Sequence, residues 1–205
     1  MRKFLRCALS LLLIIGFVVG LAAFAKYLNE DITEKLTSDD ESSTDTINEW
    51  QLCDDVSTLT VGDKIVIVVQ SEECALSITQ NPNNRDIASV TRKENTITFG
   101  DDVQIITLEA GIMENTFALN VGNGYLYAPS SSSNHLKTHE DVDENSSWSI
   151  SNGANSTANI VAQGDSTRNV LLYNATNELF SCYSPDTTTQ KSVSIYKLVE
   201  VEKNK

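Results

Sequence analysis

From Glu49 to about Val199 the chain alternates short apolar runs with polar breakers, and apolar residues nowhere recur at helical spacing over a useful length. A period of two is that of a half-buried strand. The pattern predicts strands at Lys64-Ile65-Val66-Ile67-Val68, Thr96-Ile97-Thr98-Phe99 and Val103-Gln104-Ile105-Ile106, and later at Ala158-Asn159-Ile160-Val161-Ala162, Val170-Leu171-Leu172-Tyr173 and Val193-Ser194-Ile195-Tyr196. Between these lies the richest window, residues 116–150. It holds Phe117-Ala118-Leu119, Tyr125-Leu126-Tyr127, His135-Leu136-Lys137 and Trp148-Ser149-Ile150, separated by Gly, Pro, Ser, Asn and Asp. Such breakers close strands with turns.

The window can be laid over its flanks. Second-strand leucines fall at Leu76, Leu126 and Leu172, and third strands at Ala88-Ser89-Val90, His135-Leu136-Lys137 and Phe180-Ser181-Cys182. Fourth-strand isoleucines fall at Ile105, Ile150 and Ile195, each two residues after a bulky side chain, Val103, Trp148 or Val193. A period near 45 residues marks a supersecondary unit that cannot bury its apolar face alone. Three four-strand units predict an all-β fold, a β-trefoil-like barrel over residues 49–200. First and fourth strands would form the barrel and second–third hairpins its cap, which leaves no open sheet edge. A two-sheet β-sandwich is the alternative.

The strings WQLCDDVSTLTVGDKIVIV, NRDIASVT, VQIITLEAG, TFALNVGNGYLYAPSSSSNHLKT, IVAQGDSTRNVLLYN and LFSCYS resemble a β-trefoil-like accessory module of secreted and surface multidomain bacterial proteins. The resemblance covers residues 49–199 and implies a noncatalytic role. Similarity to ricin-type lectins is architectural only. Their repeats carry Gln-x-Trp, whereas Ser146 stands two residues before Trp148.

The first 25 residues place Arg2, Lys3 and Arg6 before an uncharged run from Cys7 to Ala25, the form of an export signal. Nineteen residues at about 1.5 Å each span roughly 28 Å, close to the hydrocarbon thickness of a bilayer. An uncleaved N-terminal membrane helix is therefore expected, with secretion after cleavage following Ala25 as the alternative. Either fate puts the remainder outside the cytoplasm. Residues 26–48 carry seven acidic side chains among Ser and Thr and predict a flexible acidic linker. Residues 201–205 read as a polar tail.

Formal charge is −13, with 15 Lys and Arg spread along the chain, which argues against a nucleic-acid partner. Cys53, Cys74 and Cys182 admit at most one internal disulfide. Cys74 with Cys182 is the pair expected from their shared place in the hairpin cap, and three buried thiols are the alternative. His135 and His139 in HLKTH lack the Glu of H-E-x-x-H and a third ligand, so no metal site and no cofactor are expected. No nucleophile–base–orienter set is visible, and an enzyme is not expected. Sugar binding calls for an aromatic face with amides or carboxylates beside it. The middle unit offers Tyr125, Tyr127, Asn134 and His135, and the last offers Arg168, Tyr173, Asn174 and Tyr183. The function expected is a binding module for a glycan, with a scaffold that contacts a cell-surface protein as the alternative.

Overall fold

The computed structural model describes residues 46–203. The expected signal or anchor, and the linker as far as residue 45, lie outside the described residues. Thr46, Ile47 and Asn48, read from sequence as the linker's end, instead open a strand, β1 (Thr46–Leu52). A 3-10 turn, Val56–Thr58, follows, capped by the Asp55 carboxylate on the Ser57 N–H.

The first repeat runs through β2 (Lys64–Val69), β3 (Cys74–Gln80) and β4 (Arg85–Lys93), then an extra strand β5 (Thr96–Phe99), then β6 (Ile106–Ala110). The second holds β7 (Phe117–Asn120), β8 (Tyr125–Tyr127), β9 (Lys137–His139) and β10 (Ser147–Asn152). The third holds β11 (Ala158–Ala162), β12 (Val170–Asn174), β13 (Leu179–Tyr183) and β14 (Ser194–Glu202).

Strand pairing closes a ring. β2 pairs β6, β6 pairs β7, β7 pairs β10 and β10 pairs β11. Ala158 of β11 bridges to Val193, just ahead of β14, and β14 returns to β2. Partners match in threes around this barrel. Ile65 faces Ile106, Phe117 faces Trp148 and Ala158 faces Val193. One layer on, Ile67 faces Ile195, Leu119 faces Leu108 and Ile160 faces Ile150. β3–β4, β8–β9 and β12–β13 supply the three hairpins. The fold is a β-trefoil. Its closed ring excludes the two-sheet sandwich.

Two assignments within the repeats are corrected. Ile105 is 43% exposed, and Leu108 holds the place expected for it. Val103 and Gln104 are held beside β3, by the bridge to Ser77 and by the Gln104 N–H donating to the Leu76 carbonyl. The barrel strand therefore starts three residues late. In the third repeat Leu171, not Leu172, joins Leu76 and Leu126 in the core. Each fully buried Leu or Ile contributes about 1.5–3 kcal/mol over its exposed state.

β2 is buried on both faces, and the reason is a second ring. β2 pairs β3, β3 pairs β4, β4 pairs β5, β5 pairs β1, β1 pairs β14 and β14 pairs β2. Ile65, Ile67 and Val69 enter the trefoil core, while Val66 and Val68 enter a separate core with Ala75, Ala88, Val90, Ile97 and Tyr196. Trp50, Leu52 and Phe99 pack against the latter. A strand covered on both faces has no polar side to show, hence the unbroken Ile65–Val69 run.

At the cap, Leu76, Leu126 and Leu171 stand opposite Ile87, Thr138 and Cys182. Two residues before those partners come Arg85, Leu136 and Phe180, all fully buried. Arg85 thus puts a cation where the other repeats put hydrocarbon. Its Nε donates to Gln80 Oε1 at 2.9 Å and its Nη1 to Gln104 Oε1 at 3.1 Å. Nη1 also reaches the Ser77 and Ile78 carbonyls, and Nη2 donates to Thr138 Oγ1 at 2.6 Å. Backbone pairing of Phe180 with Arg85, and the Leu136 N–H on the Asn83 carbonyl, tie both other hairpins to the first.

Candidate ligand-binding face

The middle hairpin is built by its turn. The Val121 N–H donates to the Gly124 carbonyl, and Gly122 and Gly124 take φ of +93° and +132°, a region that glycine enters at no steric cost. A Cβ at Gly124 would run into the His139 carbonyl oxygen. Glycine therefore lets β8 approach β9. The register sets Tyr125 against His139, Leu126 against Thr138 and Tyr127 against Lys137. Side chains alternate across a strand, so Leu126 and Thr138 point inward while Tyr125, Tyr127, Lys137 and His139 share the outer face.

On that face Tyr125 Oη donates to Glu109 Oε2 at 2.8 Å, and Asn120 Nδ2 donates to Glu109 Oε1 at 2.6 Å. The bond to Glu109 raises the Tyr125 hydroxyl above its ordinary pKa. Tyr127 and His139 stack, their centroids 4.0 Å apart and their planes 13° from parallel. His139 Nε2 is covered, lacks a hydrogen bond and stands 3.8 Å from Asp143 Oδ1. The result is a partly exposed aromatic platform flanked by a carboxylate, an amide and Lys137, a set able to stack on a ring and hydrogen-bond its hydroxyls.

The hairpin tip leans on the third repeat. Arg168 Nη1 donates to Asn134 Oδ1 at 2.6 Å, and Thr167 bonds Ser131 through both its N–H and its hydroxyl. His135 lies in the same loop, and burial, then Lys137, lowers its pKa.

The structure thus brings Tyr125 and Tyr127 together and joins Asn134 to Arg168. It moves two other residues out of reach. Tyr173 is 3% exposed because it shares the inward face of β12 with Leu171, packed at 5.3 Å on Phe180. Tyr183 is on the opposite face yet only 4% exposed, and its hydroxyl accepts the Asn174 amide. Asn174 is spent on that contact. Neither tyrosine offers a ring to a ligand. The expected Cys74–Cys182 bond is likewise absent: both thiols are free and buried. The Cys74 thiol meets the Tyr173 hydroxyl instead, and Cys182 sits opposite Leu171 in the core. Glu109, Asn120, Lys137 and His139 were missed in the sequence as members of this face. Only the Tyr-x-Tyr register of β8 could have pointed to Lys137 and His139. Among the described residues no group of three His, Cys, Asp or Glu is placed to hold a metal.

No family model matches the sequence, and no curated protein matches it. Solved structures similar in fold include a designed threefold-symmetric protein, ThreeFoil, at 12% identity and TM-score 0.48, covering 64% of this chain and 96% of that one. The BEL β-trefoil is 16% identical at TM-score 0.49, covering 69% and 96%. A Culex salivary protein of the Cysteine and Tryptophan-Rich family is 17% identical at TM-score 0.46, covering 67% and 97%. The trefoil assignment itself rests on the strand pairings given above.

Proposed function

We propose that this protein is a noncatalytic, extracytoplasmic binding module that takes a carbohydrate on the outer face of β8–β9, held at the membrane by its N-terminal hydrophobic run. One observation carries the reading: Tyr125 and Asn120 converge on the two oxygens of Glu109 beside the Tyr127–His139 stack. A sugar ring would lie on the aromatics, and its hydroxyls would bond the remaining lone pairs of Glu109, which Tyr125 and Asn120 hold in place. The third hairpin buries its tyrosines and the first has no aromatic beside Leu76, so the module holds one sugar site, not three.

The test is a glycan array probed with the full chain in mild detergent. Tyr127→Ala and Glu109→Gln should each lower binding about tenfold or more, the scale set by losing one stacked ring or one charged hydrogen bond. Unchanged circular dichroism would show that the variants fold. A silent array, or hits indifferent to both substitutions, removes the sugar reading. Membrane attachment is read from detergent phase partition, and an exported chain beginning at Lys26 would mean a cleaved signal.

A further inference from the structure

β1 and β5 meet at only two register positions, Trp50 with Ile97 and Gln51 with Thr96. Beyond them the strands splay. β1 runs on to Thr46 paired on its other side with β14, and β5 runs on to Phe99 paired on its other side with β4. The gap between is a groove of about 310 Å³ lined by residues 47–50 of β1 and 97–99 of β5. Its apolar members are Ile47, which is 42% exposed, Ile97, and Trp50 against Phe99 at 5.3 Å. Among the described residues, two strand edges without ladder partners thus face each other across an apolar floor. An unpaired edge is a template for another strand, and folded proteins usually blunt or cover theirs.

Charge selects the occupant. Glu49 lines the groove, and Glu200 and Glu202 stand opposite Asn48 and Thr46 on β14. The cations nearby are Arg92, opposite Ile97, and Lys93, opposite Thr96 and lining the adjoining groove with Glu49. Residues 46–203 contain nine Lys and Arg against 21 Asp and Glu, a balance of −12. A second copy would bring Glu49, Glu200 and Glu202 against their own kind, and like charges across paired strands are destabilising. We infer that the wedge between β1 and β5 docks an extended segment of another protein, basic and apolar by turns. Its backbone extends the open β1 edge, its apolar side chains enter over Trp50 and Phe99, and its cations, on the other face of the added strand, lie toward Glu49. A few strand residues make a small interface, so the complex belongs to the weak, exchanging class.

The probe is a labelled, end-blocked Lys-Val-Lys-Val-Lys-Val-Lys peptide titrated against the full-length chain in mild detergent. Hydrogen exchange then locates the contact. The expected result is saturable binding that weakens with salt, protects amides at 46–50 and 97–99, and falls about tenfold in Ile47→Lys and in Glu49→Lys. Both positions are at least partly exposed, and retained circular dichroism separates lost docking from lost folding. No saturable binding, or protection elsewhere, overturns the inference. So does equal binding of a Glu-Val peptide. Self-association that Ile47→Lys abolishes would give the wedge to a second copy instead, and overturn it too. Tyr127→Ala, which tests the sugar face, leaves peptide binding unchanged.

Discussion

Arg85 of the first hairpin and Thr138 of the second are joined Nη2 to Oγ1 at 2.6 Å inside the trefoil cap. No carboxylate shares that interior with Arg85: every hydrogen bond its guanidinium makes ends on a carbonyl, amide or hydroxyl oxygen. A buried cation satisfied only by dipoles stabilises nothing by itself, but removing it takes the donor from five acceptors, of which Gln80 Oε1 keeps the Thr138 hydroxyl. Arg85→Ala should cost about 3–5 kcal/mol, from the cavity and the unmade bonds together. That lowers the melting temperature by about 2–4 °C per kcal/mol in a unit of this size. Urea melts measure it, and a loss under 1 kcal/mol would mean that the cap tolerates an empty centre.

The alkaline limb of stability follows from buried acids. Burial raises the Cys74 thiol to about 11, from an ordinary 9.0, and pushes the Cys182 thiol up further. Burial, then Cys74, raises the Tyr173 hydroxyl to about 12 from 10.0. The folded state keeps these protons while the unfolded chain sheds them, so stability falls as pH rises from about 9 through 12. Burial lowers the Arg85 pKa, but a guanidinium held by five acceptors keeps its proton through this range, so it does not offset the loss. The thiols therefore dominate between pH 9 and 10. Cys182→Ala should flatten the loss of stability in that interval, as read by urea melts at stepped pH.

Tyr196 is fully buried, with its hydroxyl unpartnered in the second core. A desolvated hydroxyl without a bond is a cost. Tyr196→Phe should leave stability unchanged or raise it by up to about 1 kcal/mol. Clear destabilisation in a thermal melt would show that the hydroxyl has a partner.

Leu171 and Leu172 illustrate what the sequence could tell. The trefoil period was legible because inward residues on fourth strands are large and spaced by two, as Trp148 and Ile150 are. Where apolar residues stand on both parities, periodicity cannot choose between faces. The Leu171-Leu172 doublet and the Val103–Leu108 stretch are both of that kind, and both were misassigned. Leu171→Ala should cost about 2–5 kcal/mol and Leu172→Ala distinctly less, since Leu172 keeps some exposure. Of the candidate face, the outward tyrosines of β8 were legible. Glu109 and Asn120 arrive from the neighbouring hairpin β6–β7, a contact that local spacing does not encode. The second barrel escaped notice because its closure joins β1 to β14 across most of the chain. Its trace was the unbroken apolar run of β2.

Val66 and Ile67 are consecutive in the chain yet face different interiors. With β2 and β14 serving as party walls, neither room can be torn down without opening the other to water. Melting should accordingly be a single event, whichever side is weakened. The same sharing limits drift: a bulkier residue at position 66 shoves the wall toward the trefoil core, so the two interiors can change shape only in step.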